Sequence, residues 1–135
     1  MKKLFLALIV LTTIMSCSSD DDANTTANNN NTIIGRWNLS GFDNTMYVFT
    51  ETETEKKRHT IYATDGVFGD IDSAIPNPND WYYENEILVI DLNFGNFSRT
   101  TPTFRCNGNV VDLIDDDGEI NTTLSREGFD IDTCN

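Results

Sequence analysis

From Thr32 onward, apolar side chains recur at every second position in short runs, and runs at helical spacing are scarce. This alternation constrains the fold most, because it describes antiparallel strands with one wet face. Ile33, Gly35, Trp37 and Leu39 share one face, and Arg36, Asn38 and Ser40 share the other. Tyr47 and Phe49 alternate with Met46 and Val48, and Ile61 and Ala63 alternate with Tyr62. Further runs at 81–83, 87–91, 98–106, 109–114 and 119–126 bring the expectation to about eight short strands. Asn107-Gly108 suits a type I′ hairpin, and Asp65-Gly66 and Asp117-Gly118 are similar signals, so consecutive strands should pair as neighbours. Pro76-Asn77-Pro78 is too rich in proline for a central strand, and residues 70–80 are expected to loop over one end. A flat sheet of this kind leaves an apolar face and two edges open. An all-β, antiparallel up-and-down β-barrel spanning residues 32–135 closes both.

The chain has 135 residues, enough for one domain with a modest core. Its formal charge of −13 argues against nucleic acid or an anionic bilayer surface as a partner, and makes a cationic partner electrostatically easier. Catalytic chemistry finds little support. The one histidine, His59, sits in EKKRHTIY with cations before it and reads as a surface strand residue. No G-x-S-x-G nucleophile motif and no phosphate-cradling glycine loop is present. Carboxylates are too abundant for any pair of them to be informative. No enzymatic activity and no cofactor are expected, and the domain is expected to be a monomer.

The first residues carry an address. Met1-Lys2-Lys3 is followed by an apolar run from Leu4 to Ile14, too short to span a bilayer, and then by Ile14-Met15-Ser16-Cys17. This combination resembles a bacterial lipobox. The resemblance implies that residues 1–16 are a lipoprotein signal peptide and that Cys17 becomes an acylated N-terminus. Two or three acyl chains hold far more firmly than one. Residues 17–31 then form an acidic, Asn-rich tether, since SSDDDANTTANNNN has no large apolar side chain to repay its ordering. Its r.m.s. reach is roughly 20 Å. Acids just after the lipidated cysteine resemble the export signal of Bacteroidota-type outer-membrane lipoproteins, and equally suit a soluble tether. The expected location is the outer membrane, facing either the periplasm or the cell surface.

Ile34-Gly35-Arg36-Trp37 on a first strand resembles the Gly-x-Trp signature of lipocalins and of lipocalin-like domains in Bacteroidota lipoproteins. Tyr47-x-Phe49, Asp65-Gly66, Tyr82-Tyr83 leading to Ile87–Ile90, Val111-x-Leu113 and Arg126 after the last strand agree with it. The resemblance implies that Trp37 packs across the closed end of the barrel beneath Arg126. Such an eight-stranded barrel is either filled by its own side chains or holds one small ligand. In the second case an apolar or amphipathic molecule is expected, with Tyr47, Phe49, Tyr62, Trp81 and Tyr82 as candidate lining residues, and Phe68 and Phe94 as further aromatics. The other reading is an acidic surface module that captures a cationic protein, such as a lysozyme.

With Cys17 lipidated, Cys106 and Cys134 remain, and an exported chain meets oxidising machinery, so a disulfide between them is expected. The acidic run DLIDDDGEI fails an EF-hand template, because Leu113 and Leu124 would fall on ligand positions. No metal is expected; Asp115, Asp116, Asp117 and Glu119 are the weak candidates for a looser calcium site, against a solvated hairpin tip. TETETEKKR at 50–58 suits an exposed hairpin with cross-strand Glu–Lys or Glu–Arg pairs. Asp72-Ser73-Ala74 resembles an O-glycosylation site of Bacteroidota secreted proteins, with an ordinary loop as the plainer alternative.

Overall fold

The computed structural model describes residues 31–134. Eight antiparallel strands form one closed barrel in sequence order: β1 Gly35–Leu39, β2 Phe42–Glu51, β3 Lys56–Tyr62, β4 Asn79–Glu84, β5 Ile87–Asp91, β6 Phe97–Arg105, β7 Val110–Ile114 and β8 Ile120–Arg126. β8 returns to β1 through Trp37 opposite Arg126 and Leu39 opposite Leu124, which closes the ladder. The small up-and-down barrel expected from the alternation is the fold found, and its architecture is consistent with a lipocalin-like domain. The signal peptide, Cys17 and nearly all of the tether lie outside the described residues.

Cross-strand partners share a face, so the register fixes what points inward. Trp37 lies opposite Tyr47, and Gly35 opposite Phe49. Trp81 lies opposite Ile90, and Val111 opposite Leu124. All of these but Gly35, with Ile33, Leu39, Leu88 and Leu113, build the inner core, Tyr47 packing against it half-buried. Phe49 meets Trp81 edge-on at 5.9 Å between ring centroids, and Trp81 meets Tyr83 likewise at 6.0 Å.

A second cluster lies outside the barrel wall. Met46, Val48 and Ile61 occupy the outward face of β2 and β3, yet all are buried, with Phe68 and Ala74 packed over them. The connection 63–78 therefore drapes over the outer wall and not over an end of the barrel, as residues 70–80 were expected to do. Apolar side chains on both faces of β2 and β3 require cover on the outside. A single 3-10 turn at Ile71–Ser73 and a bond from Ile75 N–H to the Thr60 carbonyl hold it there. Arg36 Nη2 also donates to the Gly69 carbonyl at 3.0 Å. Because this connection intervenes, β3 and β4 pair only through Lys57–Asp80 and Arg58–Asn79.

One end of the barrel is stapled. Arg126 lies over the Trp37 ring, its guanidinium carbon 4.1 Å from the centroid, and donates to the carbonyls of Ile34 at 2.6 Å, Thr32 at 2.9 Å and Gly108 at 3.3 Å. Trp37 Nε1 donates to the Ile33 carbonyl at 2.6 Å, pulling the buried Ile33 across the same end. Gly35 has φ of +126°, and a Cβ there would collide with Arg126 Nη1, so glycine is required on two counts. Cys106 and Cys134 form a disulfide with Cα atoms 5.7 Å apart, pinning the C-terminal tail to the β6–β7 turn at this end. In that turn the first two positive-φ residues are Cys106 and Asn107, with Gly108 following, one position earlier than the Asn-Gly signal suggested.

Candidate functional site

The opposite end is open. A cavity of about 230 Å³ enters the barrel there. Tyr47, Phe49, Ile90, Leu92 and Leu113 form its apolar wall, and Arg58, Ser98, Asn121 and Thr122 add polar groups. A shallower recess of about 420 Å³, sharing Tyr47 and Thr122 and bounded by Leu39, Phe42, Thr45 and Tyr62, opens beside it. The turns at this end carry exposed apolar side chains: Phe42 after the β1–β2 turn, Leu92, Phe94 and Phe97 around the β5–β6 loop, and Ile120 after the β7–β8 turn. The mouth thus carries apolar side chains at its rim as well as on its wall, beside the acidic β7–β8 turn of Asp115, Asp116 and Asp117.

Arg58 is the unusual group. It sits on β3 opposite Phe49, on the inward face, within a sequence run that reads as wholly solvated. Its guanidinium carbon lies 4.5 Å from the Tyr47 ring centroid, and Nη2 donates to Asn79 Oδ1. Asn79 is held in turn by donating through Nδ2 to the Asp91 carbonyl at 2.7 Å. Arg58 Nε is buried and has no hydrogen-bond partner among the described residues. Among the described residues no carboxylate lies within ion-pair distance of Arg58. By contrast Arg36 holds Glu127, Lys56 holds Glu51, Lys57 holds Asp80, Arg99 holds Glu84 and Arg105 holds Asp112. Burial pulls the Arg58 pKa below the ordinary arginine value, with Tyr47 opposing the shift. Arginine remains charged at neutral pH even so.

The expected lining residues separate into distinct places. Tyr47 and Phe49 line the cavity, and Tyr62 bounds the outer recess. Trp81 does not line it; the ring is core, set edge-on between Phe49 and Tyr83, with Nε1 donating to the Thr50 carbonyl at 3.2 Å. Tyr82 lies on the outward face of β4 opposite Val89 and is exposed, so it does not line this cavity; with Trp81 it borders a separate recess beside the β2–β3 hairpin. Phe68 packs on the outer wall, and Phe94 stands fully exposed at the loop tip. The 50–58 hairpin does carry the Glu51–Lys56 pair at 2.7 Å, but Arg58 belongs to the interior and not to that exposed ladder.

His59 faces outward beside Thr50, with 3.3 Å between Nε2 and Oγ1. The acidic turn does not gather its carboxylates: Asp115 accepts from Asn121 Nδ2, and Asp117 accepts from the Glu119 N–H. Among the described residues no group of three or more His, Cys, Asp or Glu side chains converges to hold a metal ion. Ser73 lies in the 3-10 turn and donates its hydroxyl to the Asp70 carbonyl at 2.6 Å. No family model, curated protein or solved structure matches this chain.

Proposed function

We propose that the chain is a non-enzymatic binding protein that takes a small amphipathic molecule into the open end of its barrel, and that it works as a lipoprotein anchored through Cys17 in an outer membrane. The observation that carries the binding reading is the cavity of about 230 Å³ behind an apolar rim. A dry engineered cavity of about 150 Å³ accepts benzene, so this volume suits one ring or a short alkyl chain with a small head group. Ligand pockets of this kind are concave and mostly apolar, with a few placed polar groups. The anchor reading rests on the lipobox-like Ile14-Met15-Ser16-Cys17 and the acidic stretch that follows.

Binding is tested with an environment-sensitive apolar fluorophore titrated into the protein and into a Ser98→Phe variant. Ser98 faces inward opposite Ile90, so phenylalanine there fills the cavity. Saturable binding that the variant abolishes supports the reading; binding unchanged in the variant refutes it. Anchoring is tested by expressing the full chain in a bacterium with radiolabelled palmitate, with Cys17→Ser as control. Equal labelling of both chains refutes acylation at Cys17.

A further inference from the structure

We infer that the cavity selects a monoanionic amphiphile, a carboxylate on an aromatic or short alkyl body, and that Arg58 supplies its counter-charge. The inference rests on the cavity being a binding site and adds the chemistry of what enters it.

Arg58 is half-buried with its Nε wholly so, and a charge drawn out of water is normally paired, since losing hydration without a partner is costly. Arg58 has one side-chain acceptor, the neutral Asn79, and one ring, Tyr47. Neither neutralises it. In a chain of net charge −13, five other cations of the domain hold carboxylates, whereas among the described residues no acid stands at ion-pair distance from the inward-facing Arg58. Its Nε is a donor with no acceptor among the described residues. The same side chain lines the cavity, where Tyr47, Phe49, Ile90, Leu92 and Leu113 supply an aromatic and aliphatic wall. Charge at one point and apolar surface around it are the two halves of an amphiphilic anion. A guanidinium fork bonds a carboxylate in a fixed geometry and gives charge-assisted hydrogen bonds about twice as strong as neutral ones. Asn79, locked to Asp91, holds the fork against rotation. Ser98 and Thr122 supply hydroxyls on the same wall.

The test compares octanoate with octanamide, which share a chain and differ in head-group charge, by calorimetry on the full chain at neutral pH. Octanoate is expected to bind about 10- to 100-fold more tightly, as a charge-assisted hydrogen bond implies. Arg58→Gln should lower octanoate affinity to the level of octanamide and leave octanamide unchanged. Circular dichroism confirms that the variant is folded, and the comparison on the unaltered protein needs no variant. Equal affinity of the two probes in the unaltered protein overturns the selectivity for an anion while leaving the cavity a binding site. Failure of both probes to bind overturns the binding-site reading itself. Octanoate affinity unchanged by Arg58→Gln removes Arg58 from recognition.

Discussion

A double-mutant cycle on Gly35 and Arg126 measures how the stapled end is held together. Among the described residues, Arg126 gives three hydrogen bonds to main-chain carbonyls and covers the Trp37 ring. Arg126→Met keeps much of the aliphatic stem and removes these contacts. Counting about 1 kcal/mol for each of the two shorter bonds and about 1 kcal/mol for the stack, the loss should be about 3 kcal/mol. Gly35→Ala places a methyl group where Nη1 lies, at a φ of +126° that an L-residue adopts only with strain. Its cost has two parts, about 1–2 kcal/mol of backbone strain and about 1–2 kcal/mol for displacing the guanidinium. Only the second part disappears when Arg126 is already gone. The cycle should therefore show a coupling of about 1–2 kcal/mol, outside the range of additive sites. Urea unfolding with the disulfide intact, followed by tryptophan fluorescence, reads all four stabilities. Additivity within about 0.3–0.5 kcal/mol would refute the contact between Gly35 and Arg126 as the reason glycine is needed.

Three further outcomes follow from the packing. Cys106→Ser with Cys134→Ser opens a bridge of 28 residues' separation and should cost about 3–4 kcal/mol in thermal or urea unfolding, while ligand affinity at the far end stays unchanged. Ile61→Ala removes a fully buried side chain from beneath the outer connection and should cost about 2–5 kcal/mol, with faster proteolytic cleavage within residues 63–78; cleavage at the original rate would mean that the connection is held without that cluster. Arg105, and then the Thr123 hydroxyl, hold the Asp112 carboxyl below the usual aspartate value against the opposing effect of burial. A depressed folded value stabilises above the unfolded pKa of about 4 and is lost as pH falls through the folded one. Asp112→Asn should therefore flatten the decline of stability below about pH 4, and an unchanged acid limb would reject the assignment.

Much of the barrel was legible because strand alternation and turn residues are local. Trp37, Tyr47, Phe49 and Leu113 announced the inner face by period two, and the order of strands followed from short connections. Two features depended on information that a single strand does not carry. Met46, Val48 and Ile61 form an apolar outward stripe, which alternation alone cannot distinguish from a core-facing one; only the 63–78 connection, folding back over it, decides. Arg58 was hidden in TETETEKKR, where a run of charges looks uniformly solvated. Its direction is set by the register of the β2–β3 hairpin, in which Glu51 faces Lys56 and hence Phe49 faces Arg58. The signal was present as the parity of Arg58 with Tyr62, an aromatic residue already assigned to the interior. Tyr82 failed for the related reason that adjacent aromatics in Trp81-Tyr82-Tyr83 must point to opposite faces, so only alternate ones reach the inside.

Thr32 is held by Arg126 and Cys134 by Cys106, so the chain enters and leaves the barrel at the same end. The molecule consequently has a stem side and a cup side. A group attached at Thr32 or Cys134 meets the barrel at the stem and leaves the cup clear. On the proposed binding function, a ligand then enters and leaves from the solvent side without disturbing whatever is attached at the stem.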